Sequence, residues 1–216
     1  MKDRINNFLH EFHAAIIKQI FKMKLKFNNI VKCTMLFACL YSITDCKNKE
    51  TKAKEASLKS VVENCIGKKL ILPDSLSAYK PFTNYIADGV EMANAAIKIY
   101  SHINASCPTC IRDIVLWNSI IPYFSKYKVP VILVCESKDN FELVKYFHES
   151  GEIKSFSYPL FFDLKNEYIK SNKFMKESQQ FETVLTDKEN NILLLGNPIR
   201  SKEMKELYIK EIQKRM

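Results

Sequence analysis

The chain has 216 residues, of which 47% are hydrophobic and 26% charged, with only four glycines and seven prolines. These values fit one globular domain with an extension and exclude a low-complexity or collagen-like chain. The net charge is +9, but residues 1–45 hold seven Lys/Arg against three Asp/Glu, and beyond them the two signs alternate with no arginine cluster. That pattern describes a solvated, mildly basic surface, and no nucleic-acid partner is expected.

Ile5, Phe8, Leu9, Phe12, Ile16 and Ile20 recur at helical spacing, which predicts an amphipathic helix within residues 1–22. Lys24, Lys26 and Lys32 then precede a mostly apolar, uncharged run over residues 33–44. A membrane helix needs about 20 such residues, so the run is short for a span and fits a signal-peptide core. The basic lead before it is long for such a signal, which makes Met23 a candidate start of translation. The run ends at Asp45-Cys46 and is followed by the charged stretch KNKETKAKEASLKS.

This segment resembles a bacterial lipoprotein signal, in which the cysteine after the apolar run carries the lipid. The resemblance implies lipidation at Cys46, with Cys39 the alternative because Ala38 before it is small whereas Asp45 is not. An uncleaved membrane anchor is the plainer reading of the same run. The expected organisation is an export signal over 1–45, a tether over 46–60 and a globular domain over 61–216, divided into a lead-in (61–94) and a core (95–216). The expected location is a bacterial cell envelope, facing the periplasm, where disulfides persist. Without Cys33, Cys39 and Cys46, the exported part keeps Cys65, Cys107, Cys110 and Cys135.

In the core, residues 95–103 (AAIKIYSHI) predict a strand. Residues 110–127 (CIRDIVLWNSIIPYFSKY) predict a helix with Ile111, Ile114, Trp117, Ile121 and Phe124 on one face, shortened or kinked near its end by Pro122. VPVILVC (129–135) is nearly continuous apolar sequence, as in a strand covered on both faces. Phe141, Val144 and Phe147 mark a further helix, stopped at Gly151. YPLFFD (158–163) predicts a strand, and FETVLTDKENNILLLGNP predicts two strands around a turn at 187–191. Ser201 can cap a last helix carrying Met204, Leu207, Tyr208 and Ile212. Alternating strands and helices predict an α/β fold, a central mixed sheet with a parallel core and helices on both faces.

Cys107-Pro-Thr-Cys110 stands where the first core strand meets the first core helix, the arrangement of a redox-active pair. From there the chain resembles the TlpA-type, redoxin-like branch of the thioredoxin superfamily, membrane-tethered bacterial thiol-disulfide oxidoreductases. SHINASCPTC resembles its strand–CxxC junction, YPLFFDLKNEYIKSNKF its inserted strand and helix, FETVLTDKENNILLLGNPI its closing hairpin, and GKKLILPDSL (67–76) its lead-in strand. The resemblance covers about residues 66–216. It implies a thioredoxin-like fold, a protein or small-thiol disulfide as substrate, an envelope electron donor, attachment to the membrane through a lipid anchor, and no cofactor. Two departures stand out. The groove proline of the family is absent, and Gln180 or Phe181 occupies its place; the tryptophan common before the first cysteine is replaced by Ser106.

The residues point the same way. Cys107 sits at a helix N-cap with Pro108 at the first helical position, where a missing N–H costs nothing. Its sulfur can accept from the N–H groups of Thr109 and Cys110, and the helix dipole favours a thiolate by up to about 2 kcal/mol. Since one pKa unit is about 1.4 kcal/mol, a thiol near ~8.5 is drawn toward roughly 7. Cys107 is thus the expected nucleophile and Cys110 the resolving thiol. No acidic residue lies between Glu91 and Asp113, so the preceding strand supplies no carboxylate behind the pair. His102 is the nearest titratable candidate for proton transfer, against the plainer reading of a strand-end histidine with a satisfied hydrogen bond.

Other readings stay open: a purely structural disulfide, copper handling by the pair with a histidine such as His148, or a lipoprotein whose domain only binds a partner. Zinc lacks a second ligand pair, and a thiol peroxidase lacks its proline and threonine before the cysteine. Cys135 is expected as a buried, inert thiol, with a Cys65–Cys135 disulfide as the alternative.

Overall fold

In the computed structural model the described residues are 55–216. The export segment, Met23, Cys39, Cys46 and residues 46–54 of the tether lie outside them. Residues 55–60, assigned above to the tether, belong to a helix over 55–65 (α1). One compact unit runs over Leu58–Met216.

Its elements in order are β1 (Leu76–Tyr79), α2 (Gly89–Asn94), β2 (Ile97–Asn104), α3 (Pro108–Ser125), β3 (Val131–Glu136), α4 (Glu142–Glu149), β4 (Leu160–Asp163), α5 (Tyr168–Ser171), β5 (Thr183–Asp187), β6 (Ile192–Leu195) and α6 (Lys202–Arg215). Two 3-10 turns, Lys173–Lys176 and Gln179–Glu182, lead from α5 into β5. The six strands form one sheet in the order β1-β4-β3-β2-β5-β6. β2, β3 and β4 are parallel, and β1, β5 and β6 join antiparallel. A parallel core closed by an antiparallel hairpin, with the cysteine pair at the β2–α3 junction, is the thioredoxin-like arrangement expected from the sequence.

β2 lies between β3 and β5, and all of it except Asn104 is buried. Strands covered on both faces read as unbroken apolar runs, and VILVCE in β3 does so. β2 by contrast buries three polar side chains, Lys98, Ser101 and His102; the Lys98 ammonium reaches out to the carbonyls of Lys188 (2.9 Å) and Ala93 (3.3 Å). α3 buries Ile111, Ile114, Trp117, Ile121 and Phe124, the face its sequence spacing marks out. The hairpin turns at 187–191, where the Asp187 carboxylate accepts from the Asn191 backbone N–H (2.7 Å). Gly151, with φ +76, follows α4 in a left-handed conformation that glycine adopts without strain.

Four details depart from the sequence reading. Pro122 does not shorten α3, which runs to Ser125. So near the end it removes a single helical N–H, and Tyr127 and Lys128 close the last turn on the carbonyls of Phe124 (2.9 Å) and Ser125 (2.8 Å). The lead-in over 67–76 is not one strand: Lys69 makes an isolated bridge to Asn191, and β1 begins only at Leu76 on the opposite edge. Pro73 between them has no N–H for a ladder. Phe141 precedes α4 in a left-handed conformation (φ +66) and stacks on Phe162 at 4.0 Å. In α6, Tyr208 and Ile212 are buried but Leu207 faces solvent.

Trp117 is the largest fully buried side chain and ties α3 to the sheet. Trp117→Ala is expected to cost about 3–5 kcal/mol of stability. Urea denaturation should register it as a lower midpoint with an unchanged slope.

Candidate functional site

The cysteine pair is held from the backbone upward. β2 ends at Asn104, whose side-chain oxygen accepts from the Ser106 N–H (3.0 Å) and whose carbonyl accepts from the Cys107 N–H (3.2 Å). Ala105 donates to the Glu136 carbonyl at 2.7 Å. Ser106 then uses its hydroxyl twice, donating to the Asp139 carboxylate and accepting from the Lys138 N–H, both at 2.8 Å. Ser106 thus fastens the segment before Cys107 to the β3–α4 loop. Asp139 also accepts from the Ser137 hydroxyl (2.5 Å) and the Leu143 N–H (3.1 Å). The Ser137 and Ser106 hydroxyls and the amides around it hold that carboxyl below its usual range.

Cys107 is the N-cap of α3 and Pro108 is the first helical residue. The Cys107 sulfur accepts from the Cys110 N–H at 3.4 Å, as expected. Its second contact is the hydroxyl of Thr109 at 3.1 Å, in place of that residue's N–H. Cys107 and Cys110 are joined as a disulfide, with Cα atoms 5.2 Å apart. Both are half-buried, whereas Pro108 and Thr109 are exposed.

A polar cavity of about 490 Å³ opens beside Cys110. His102 on β2 projects into it and is buried. Glu136, at the end of β3, lies 3.5 Å from its Nε2, and Glu182, in the turn before β5, lies 3.7 Å from its Nδ1. At these separations neither ring nitrogen makes a hydrogen bond. Burial alone would push the imidazole down, but the two carboxylates outweigh it and raise His102 to about 8. The His102 charge in turn draws Glu136 below its usual range, against the effect of its own burial. One turn beyond Cys110, Asp113 pairs with Arg200; burial pushes the Asp113 carboxyl up, Glu182 adds to this, and Arg200 opposes it.

The carboxylates missing from β2 are therefore supplied by its neighbours. Register decides this. Ser101 pairs with Thr183, which places Glu182 opposite His102, and His102 pairs with Val134, two residues before Glu136. A glutamate closing the apolar run of β3 and another opening β5 were the available signals, but only strand pairing brings them to one histidine.

Gln180 and Phe181, which the resemblance put at the groove position, lie in the Gln179–Glu182 turn. Gln180 is exposed at the cavity rim and Phe181 is buried. His148 lies elsewhere, on α4, packed edge-on against Phe82 (4.7 Å) and Tyr79 (6.4 Å). Among the described residues, no group of three or more His, Cys, Asp or Glu could hold a metal ion. Cys65 and Cys135 are buried free thiols, not a disulfide. Burial pushes Cys65 up and Cys135 to about 12, which leaves both unreactive. Among the described residues, no helix is long and apolar enough to cross a membrane.

No protein-family model matches the chain, and no curated protein matches it. Similar solved structures include one from Chlorobium tepidum titled as a thiol:disulfide interchange protein DsbE, with 11% identity and a TM-score of 0.44 over 57% of this chain and 84% of that one. A protein of Aquifex aeolicus titled as an electron transfer protein has 13% identity and a TM-score of 0.44 over 68% and 97%. A thioredoxin-like protein of Bacteroides caccae has 21% identity and a TM-score of 0.42 over 75% of this chain, which spans 55% of that protein's length.

The raised His102 sets a pH dependence. Its folded value of about 8 exceeds the ordinary 6.5, so its ion pairs contribute stability fully below about pH 6.5 and lose it as pH rises through about 8. The shift corresponds to about 2 kcal/mol. Denaturation of the wild type and His102→Gln should differ most just below neutrality and converge above about pH 8. A His102 imidazole titrating near 6 by NMR would refute this.

Proposed function

We propose that this thioredoxin-like chain is an exported, membrane-tethered thiol-disulfide oxidoreductase working through Cys107 and Cys110. The observation that carries the reading is the cysteine pair at the N-terminus of α3, with Cys107 as N-cap and its sulfur accepting from the Cys110 N–H. A sulfur there meets helix-end N–H groups and the positive end of the dipole, which favour its thiolate. The stretch Lys24–Cys46, with its basic lead, apolar run and terminal cysteine, supports export and a lipid anchor at Cys46, with Cys39 as the alternative.

In the reducing direction the Cys107 thiolate attacks one sulfur of a substrate disulfide. The Cys107–substrate bond forms, and the substrate's other sulfur leaves as a thiolate and takes a proton. Cys110 loses its proton and attacks the Cys107 sulfur, closing the CxxC disulfide and releasing the second substrate thiol. Two electrons and two protons pass from the dithiol to the substrate. An envelope dithiol donor restores the reduced pair by the same exchange. The direction follows from the potential, and about 30 mV, equivalent to about 1.4 kcal/mol, shifts the balance tenfold.

A second reading is an envelope module that binds a partner or handles copper without turnover. It is favoured by the exposed Gln180 standing where the family's groove proline would be.

Titration of the full-length chain against glutathione or dithiothreitol, read by mass-labelling of free thiols, should give one reversible two-electron couple at Cys107/Cys110. Cys107→Ser should abolish it. A dithiol that shows no reversible couple, or that is unmasked only by a chelator, would remove the oxidoreductase reading in favour of the binding module.

A further inference from the structure

A second cavity, of about 670 Å³, opens at the other end of the sheet from the cysteine pair. Ile97, the first residue of β2, and Val129 and Pro130, just before β3, line it, whereas the pair follows the last residue of β2. Ligand cavities measure about 300–1,000 Å³ and are mostly apolar, with a few placed polar groups. This one has that character. Its buried wall includes Met92, Ile97, Val129 and Tyr158. Tyr158 is 2% exposed, yet its hydroxyl has no hydrogen-bond partner among the described residues. A buried tyrosine hydroxyl ordinarily has one. Burial pushes the phenol up to about 12, so at neutral pH it keeps its proton and can donate it to an acceptor.

Three charged side chains stand on the lining, and two are engaged. Glu91 caps α2, its carboxylate accepting from the Asp88 N–H at 3.0 Å, and Arg215 pairs with Glu211 at 2.6 Å. Lys128 is exposed and has no ion-pair partner among the described residues. It stands in a left-handed conformation (φ +56) in the turn that closes α3, where the Val129 N–H donates to the Phe124 carbonyl at 3.3 Å. Glycine is the ordinary residue at such a helix end. Lysine there accepts strain and puts an ammonium on the cavity.

We propose that this cavity binds an aliphatic carboxylate, with its chain against the apolar wall and its head group held by the Lys128 ammonium and the Tyr158 hydroxyl. The two unpartnered groups are a cation and a neutral donor, so an anionic acceptor answers both and an amine answers neither. Asn94 and Ser125, also on the lining, are neutral and serve either sign. The site lies outside the cysteine chemistry and holds whether or not the pair turns over.

The methionines locate the ligand. Met92 and Met216 line this cavity, Met175 lines the one beside Cys110, and Met35 belongs to the apolar run of the sequence. The full-length chain, labelled with carbon-13 at its methionine methyls, is titrated with sodium decanoate and followed by NMR. The Met92 signal should shift saturably while Met175 stays in place. Decyltrimethylammonium, the same chain with a cationic head, should leave Met92 unmoved at matched concentration. Tyr158→Phe and Lys128→Gly should each raise the decanoate Kd about tenfold. Unfolding is not the cause in either: Tyr158→Phe keeps the buried ring, and Lys128→Gly relieves the left-handed strain and should hold or raise the urea midpoint. A Met92 signal that does not move, a shift at Met35 without one at Met92, an equal response to decyltrimethylammonium, or unchanged affinity in either variant overturns the proposal.

Discussion

Everything at this site depends on one handover: a buried central strand runs through a three-residue link into the N-terminus of a long helix. β2 is fixed by β3 on one side and β5 on the other, so its end cannot shift without breaking two ladders. α3 is fixed by a buried face of five large side chains. The cysteine between them inherits a position set by the whole core. Its N–H contacts and the helix dipole come from the same geometry, because the first N–H groups of a helix have no intrahelical partner.

The pairing of a buried His102 with two half-buried glutamates carries a cost. Taking charges from water costs several kcal/mol per ion, and their attraction returns it only with good geometry. Here the imidazole sits at ion-pair distance from two carboxylates without hydrogen bonding to either. The raised His102 shows that the attraction of the two carboxylates nonetheless outweighs the burial of the imidazole. The same low dielectric that makes burial expensive strengthens that attraction.

Other residues beside the pair also have physical consequences. The Ser106 hydroxyl joins Asp139 and Lys138, so the loop before Cys107 is held by hydrogen bonds. Its partner loop includes Asn140 and Phe141, two consecutive residues with positive φ, stabilised by the Phe141–Phe162 stack and by the Ser137 hydroxyl, which accepts from the Phe141 N–H. Gln180 presents an exposed amide at the cavity rim.

Much of this was legible in the chain. The apolar run of β3, the stripe from Ile111 to Phe124, the Asp187–Asn191 turn and the Ser201 cap are local patterns, and local patterns determine local elements. So does Cys107-Pro-Thr-Cys110, because a helix start needs only its own few residues. The sequence misplaced what depends on neighbours: the lead-in segment breaks at Pro73 and serves both edges of the sheet. Glu136 and Glu182 were invisible as site residues for the same reason. They stand 34 and 80 residues from His102, and only the pairing of β2 with β3 and β5 brings them to its two nitrogens. The sequence by itself determined the cysteine pair and the helix it caps; tertiary structure alone decided the charges at the cavity beside it, because strand register is a property of the assembled sheet.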